Sequence, residues 1–196
     1  MNWKSEAQMR SIGHEPRPDD EAISRLKKFG DDSQDMRSTL NIFQLILDEW
    51  VGPKTPWSAL KGKKVLELAS GSVINGYPPW FSRLCSVFDA EVTVIDISPQ
   101  GSVDRRIFTC IEADLIETVL GDDLGNIPGL KNKKFDLIHS SRFIGFNPPF
   151  EVMKELNLRG VTLEEFEAKL TNQTKKLLAP KGYLDVTDAW SDIKSS

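Results

Sequence analysis

Four clusters of chemically capable side chains stand out, each placed where a run of apolar residues gives way to small or polar ones. Glu67-Leu68-Ala69-Ser70-Gly71-Ser72 sets a carboxylate before a turn of small residues. Such a turn lets a ligand approach the backbone closely, because larger side chains would collide with it. Asp96 stands near the end of the apolar run Glu91–Ile97, where one carboxylate can accept hydrogen bonds from both hydroxyls of a ribose. Asp114, after Glu112-Ala113, could accept from an adenine amino group. The fourth cluster is His139-Ser140-Ser141-Arg142. His139 is a weak candidate for a general base, and a histidine in an apolar strand is more often a hydrogen-bonded structural residue. Arg142 suits bidentate binding of a substrate carboxylate or phosphate, or else a surface position.

Other ionisable groups carry less. Asp122-Asp123 with Asp114 and Glu117 imitate a hard-cation site, but such sites need convergent oxygens, and no metal is expected. Cys85 and Cys110 sit in apolar segments without a second Cys or His at ligand spacing, and both are read as buried reduced thiols. His14 falls in a polar arm and is read as solvated, as are the short basic runs Asp104-Arg105-Arg106 and Lys131-Asn132-Lys133-Lys134.

The elements that must position these clusters alternate in period. Strands are expected over residues 64–69, 91–97, 108–113, 135–140 and 183–187, each a short apolar run. Between them come helical patterns. Trp80, Phe81, Leu84, Val87 and Phe88 share one face, with Pro78 and Pro79 in the first turn. Thr162 and Glu165 form a capping box for a long helix that runs to about Ala179, where Pro180-Lys181-Gly182 breaks it. Upstream, Asp19 or Asp20 caps a short helix bearing Ile23, Leu26 and Phe29. Ser33 then caps an amphipathic one bearing Met36, Leu40, Phe43, Leu47 and Trp50, which Gly52-Pro53 stops. Strands alternating with helices imply right-handed crossovers and a mostly parallel sheet covered on both faces. The expected fold is α/β and Rossmann-like, a five-stranded sheet in the order 3-2-1-4-5. Residues 1–52 form an arm and helices of the same domain, and 53–196 form the core. In such a sheet ligands bind beyond the carboxyl ends of the strands, where all four clusters fall.

Composition narrows the classes of function. With 196 residues, 39% hydrophobic, the chain suits a single domain core. Its 25 Lys+Arg against 29 Asp+Glu give a net charge of −4, which offers no general grip on nucleic acid or an anionic membrane. No apolar run approaches the roughly 20 residues of a membrane span, and the N-terminus has no signal-peptide core. A soluble, cytoplasmic protein is expected.

Taken in order, the clusters resemble the class I S-adenosylmethionine-dependent methyltransferases. Val65–Ser72 is similar to that family's first motif, Val94–Ser98 to its second, Glu112–Leu115 to its third and Phe135–Ile138 to its fourth. Leu177–Leu184 resembles the helix-to-strand turn that follows, so the likeness runs over about residues 60 to 190. The resemblance implies S-adenosylmethionine as cofactor. It has Glu67 orienting the turn and the methionine amino group, Ala69 and Gly71 lining methionine and ribose, and Asp96 holding the ribose hydroxyls. Ile97 would pack on the adenine face, Asp114 and Leu115 would meet its edge, and Ser140 and Ser141 would face the sulfonium and the substrate. Asn147-Pro148-Pro149-Phe150 matches the motif with which amino-group methyltransferases hold a planar nitrogen. Six residues separate it from Ser140, and a Pro-rich loop near the substrate is the preferred reading. Arg142 and Asn147 are thus substrate-facing candidates, in a 142–161 loop that would form the acceptor pocket with the N-terminal arm.

Two departures from the family pattern are visible. The family's three alternating glycines fall here at Ala69, Gly71 and Val73, so only the middle one is kept. The family usually adds a hairpin after the fifth strand, whereas nine residues follow Thr187. The fifth strand is then expected at an edge, where it could pair with a second copy in a homodimer. The expected function is in-line methyl transfer to a small-molecule acceptor. The alternative is a binding or regulatory module that keeps the fold without transfer. A nicotinamide-dependent oxidoreductase fits poorly, because Ala69-Ser70-Gly71-Ser72-Val73-Ile74 lacks its glycine pattern.

Overall fold

The computed structural model describes residues 20–30, 34–140, 143 and 149–186. The strands are β1 (Lys64–Leu68), β2 (Glu91–Asp96), β3 (Thr109–Glu112), β4 (Phe135–His139) and β5 (Leu178–Asp185). The helices are α1 (Asp20–Leu26), α2 (Gln34–Trp50), α3 (Trp80–Val87), α4 (Leu115–Gly121), α5 (Phe150–Leu158) and α6 (Leu163–Leu177). The strands lie in the order β3-β2-β1-β4-β5 with every neighbouring pair parallel, which is the α/β Rossmann-like sheet the alternating pattern implies.

Side chains alternate between the two faces because the strand period is two. Val65, Val94 and Leu137 pack with Met36, Phe43, Leu47, Phe81 and Leu84, in the layer that contains α1, α2 and α3. Leu66, Leu68, Ile95 and Ile138 pack with Leu115, Val119, Leu156, Phe166 and Leu170, in the layer that contains α4, α5 and α6. Full burial of a side chain such as Phe43 or Phe166 contributes roughly 1.5–3 kcal/mol, and this two-sided burial is why the central strands read as nearly continuous apolar runs. The stripe of α2 is buried as its spacing demands, with Met36, Phe43 and Leu47 fully inaccessible. Gly52, at φ 137°, lies just past its end.

Several boundaries differ from the expected ones. Pro79 occupies the N-cap of α3 rather than its first turn. Phe108 precedes β3 and is buried. The capping box of Thr162 and Glu165 starts α6 as expected, but the helix stops at Leu177 and β5 begins at once. Pro180-Lys181-Gly182 does not separate helix from strand. The register jumps from Phe135 opposite Leu178 to Leu137 opposite Tyr183, so residues 179–182 form a bulge inside the strand. Gly182 sits there because a Cβ would come within 3.0 Å of the Phe135 carbonyl. The expected 142–161 loop contains α5, which starts from Pro149 at its N-cap. His14, Asp19, Ser33 and Thr187 lie outside the described residues.

β5 is an edge strand, and α2 leans on it. The Trp50 indole N–H donates to the Lys181 carbonyl at 3.4 Å, and the Tyr183 hydroxyl donates to Glu49 Oε2 at 2.6 Å. Proline, lysine and a bulge are devices that discourage pairing with a further strand, and all three occupy this edge.

Candidate functional site

The chain runs outward from β1 through β2 to β3, then returns to place β4 and β5 on the other side of β1. The direction therefore reverses between β1 and β4. In this architecture a crevice forms beyond the carboxyl ends of the two strands at such a point.

On the β1 side the backbone turns through two left-handed residues, Ala69 at φ 51° and Gly71 at φ 77°. Gly71 has no room for a side chain, since a Cβ would lie 2.4 Å from the Tyr77 carbonyl oxygen. Its smallness therefore serves a close approach within the turn itself. The Gly71 N–H donates to Asp96 Oδ2 at 2.8 Å, and the Ser98 N–H donates to Asp96 Oδ1 at 2.8 Å. Asp96 is 6% exposed, so one carboxylate ties the turn after β1 to the loop after β2. Four lone-pair positions are available on a carboxylate, and these bonds use two. Next to it Ile97 is 67% exposed and presents an apolar surface to solvent.

Glu67 is placed one register step below the turn, buried, and turned toward α3. Its Oε2 accepts from the backbone N–H of Ser82 at 3.1 Å and from the Ser82 hydroxyl. Pro79 supplies no side-chain cap for α3, so this carboxylate takes that place and meets the positive end of the helix. Register sets Glu67 opposite His139, and His139 opposite Asp185, so the three share one face of the sheet. His139 Nδ1 donates to Asp185 Oδ2 at 2.8 Å, and the imidazole lies 4.0 Å from the Phe81 ring centroid. At 3% exposure this is the geometry of a hydrogen-bonded core histidine.

Asp114 is the N-cap of α4, its Oδ1 accepting from the Glu117 N–H at 3.0 Å, and Leu115 is buried in the core behind it. Ser140, just past β4, donates its backbone N–H to the Asp185 carbonyl, while its hydroxyl is buried without a hydrogen-bond partner among the described residues. Ser141, Arg142 and Asn147 lie outside the described residues. The structure thus brings Ala69, Gly71, Asp96 and Ile97 together across two tied loops, and sets Ser140 across the switch point beside β1. Asp114 and Leu115 follow β3 at the sheet edge.

A cavity of about 300 Å³ lies at the opposite, amino-terminal pole, between Arg25, Gln44, Trp57, Lys61, Phe88 and Asp89. Arg25 there donates to the Val87 carbonyl at 2.6 Å, capping the end of α3. Among the described residues no three His, Cys, Asp or Glu side chains converge on a metal position, and no helix is long and apolar enough to cross a membrane. Cys85 and Cys110 are free, but only Cys85 is buried as expected, Cys110 being half-buried on β3 near the sheet edge. Burial raises both thiols above their ordinary range, with the negative charge of Glu67 adding to the effect at Cys85.

No protein-family model matches the chain, and neither does any curated protein. Among solved structures, the chain is similar to one described as a methyltransferase homologue protein from Pyrococcus horikoshii. The identity is 16% and the TM-score 0.34, over 66% of this chain and 41% of that one. The chain thus spans well under half the length of that protein.

Two features of the site carry no sequence signal. Gln100 is buried and donates from Nε2 to the Gly71 carbonyl at 2.7 Å and to the Ser70 hydroxyl at 3.3 Å, while its Oε1 has no partner among the described residues. Asp104, expected in a solvated run, is fully buried instead. It receives two bonds of 2.9 Å from Arg83, whose guanidinium lies 4.9 Å from the Phe29 ring and 5.0 Å from the Trp80 ring. The expectation failed because the partner lies 21 residues upstream on α3 and is invisible to local spacing.

Proposed function

We propose that the chain binds S-adenosylmethionine at the carboxyl ends of β1, β2 and β4 and transfers its methyl group to a small-molecule acceptor. The observation that carries this reading is the Ser140 hydroxyl. It is buried at the switch point with no hydrogen-bond partner among the described residues, a condition that costs folding free energy and that a bound polar group would relieve. The residues around it suit such a ligand. Asp96 keeps two lone-pair positions for the ribose hydroxyls, Ile97 offers an apolar face for the adenine, and Asp114 Oδ2 stays available beside α4. When bound, the cofactor supplies an electrophilic methyl group on a sulfonium. The protein then has to align a nucleophile and exclude water, so catalysis is chiefly proximity and orientation and no dedicated base is required. The enclosed His139 is consistent with that, since its partner is Asp185.

Calorimetric titration with S-adenosylmethionine and S-adenosylhomocysteine tests the reading. Binding of both is expected for the wild type, with loss in Asp96→Ala and about fivefold weakening in Ser140→Ala, the effect of removing one ordinary hydrogen bond. Absence of binding to the folded wild type at millimolar ligand overturns it. A second reading, a binding or regulatory module without transfer, is favoured by the bonds that Asp96 already makes to Gly71 and Ser98. Ligand binding without methyl transfer to any of a panel of small acceptors separates that reading from the first.

A further inference from the structure

Residues 70–75 and 96–100 are joined by contacts that a freely open ligand cleft would not have. The Gly71 N–H is held by Asp96 and the Gly71 carbonyl by Gln100, so both polar groups of one peptide-linked residue are engaged by the opposite loop. Beyond it the Ser72 hydroxyl donates to the Pro99 carbonyl at 2.6 Å, and Asn75 Nδ2 donates to the Ser98 hydroxyl at 3.1 Å. Asp96 is 6% exposed beneath this seam, and Gln100 is 4% exposed within it. At that exposure Asp96 offers little open surface to a ribose while these contacts hold. The closed seam also carries a cost, because Gln100 Oε1 is buried without a hydrogen-bond donor among the described residues. An amide flip gives no relief, since the Gly71 carbonyl needs the N–H end.

We propose that Gln100 is a positioning residue that holds the Gly71 turn shut over Asp96 and so sets the affinity of the site. This inference rests on the reading of that site as the cofactor site. Binding is weakened by whatever fraction of the protein stays closed, so loosening the seam raises affinity. Loss of a merely structural contact would have the opposite sign.

The test is native-state amide exchange of Gly71 in the full chain, with and without S-adenosylhomocysteine, alongside calorimetry of the same ligand. Gln100→Ala is expected to speed Gly71 exchange about fivefold in the free protein and to tighten binding by a similar factor, the population change given by losing one ordinary hydrogen bond. Asn75→Ala, at an exposed position on the same seam, shifts both readouts the same way by less, and supplies the comparison should Gln100→Ala not fold. Unchanged Gly71 exchange in both variants overturns the proposal. Faster exchange with unchanged or weaker binding also overturns it, because Gln100 would then serve the bound state rather than oppose it. Faster exchange in a protein that binds no ligand in any form supports the latch and removes the cofactor reading instead.

Discussion

The two sides of the switch point end differently. On the β1 and β2 side, nearly every polar group of the turn has a partner within the protein: Gly71 on Asp96 and Gln100, Ser72 on Pro99, Asn75 on Ser98. Just behind, Arg83 and Asp104 form a buried bidentate pair sandwiched by Phe29 and Trp80. On the β4 side the chain leaves its strand at Ser140, whose buried hydroxyl meets no partner among the described residues. A matched region is stiff and resists substitution, whereas an unmatched polar group is a cost tolerated where a ligand repays it. Gln100 Oε1 is the exception on the matched side, so the contrast sets a seam of many bonds with one unmet acceptor against a strand end whose buried hydroxyl has no partner among the described residues.

Substitutions can break that contrast, and the largest effect is expected at Arg83. Arg83→Ala leaves the carboxylate of Asp104 fully buried and unpaired, and should cost about 3–5 kcal/mol in denaturant unfolding. A loss below about 1 kcal/mol would show that solvent enters the seam and that the matched side is not stiff. Next comes Gly71→Ala. The left-handed φ of 77° disfavours a side chain, and the added Cβ would press on the Tyr77 backbone, which cannot rotate aside. A loss of about 2 kcal/mol or more is expected, from the conformational penalty and the clash together.

Ser140→Ala should behave in the opposite sense. Removing an unpartnered hydroxyl leaves stability unchanged or raises it by up to about 1 kcal/mol, while affinity for S-adenosylhomocysteine falls. If unfolding instead shows a loss above 1 kcal/mol, the hydroxyl has a partner within the protein in solution and the contrast between the two sides disappears.

Much of this arrangement was legible in the sequence, and the rest was hidden for physical reasons. The alternation of strands with helices and the stripe of α2 follow from local apolar period, and the Thr162–Glu165 capping box from residues three apart, whereas the strand order follows from no local pattern. The ends of α6 and β5 were misplaced because a proline and a glycine mark a break in the chain equally well whether it is a turn or a bulge. The 7-residue helix α4, which begins directly after its Asp114 cap, gives too few turns for a period to show. α5 was masked by the prolines before it. The clusters at the strand ends were visible as residue types, but their bonding was not. Gln100 is one polar residue in a polar loop, and its meaning comes from Gly71, 29 positions away. Asp96 could be read as a ribose ligand but not as the clamp of its own neighbouring turn.

The smallest expected effect lies at the far edge, where α2 rests on β5 through Tyr183 and Glu49. Burial and the nearby carboxylates of Glu49 and Asp185 hold the Tyr183 phenol well above its ordinary value. A raised folded-state pKa means that the unfolded chain ionises first as pH rises. The contribution of this contact is therefore complete below about pH 10, the ordinary phenol value, and is lost as pH climbs beyond it. Tyr183→Phe should cost about 0.5–1 kcal/mol at neutral pH, the net worth of one hydrogen bond, and should flatten the alkaline decline in stability. An alkaline decline of the same slope in wild type and variant would assign it to other groups. It would also mean that α2 is held to this edge by packing and the Trp50–Lys181 hydrogen bond rather than by the Tyr183 hydroxyl.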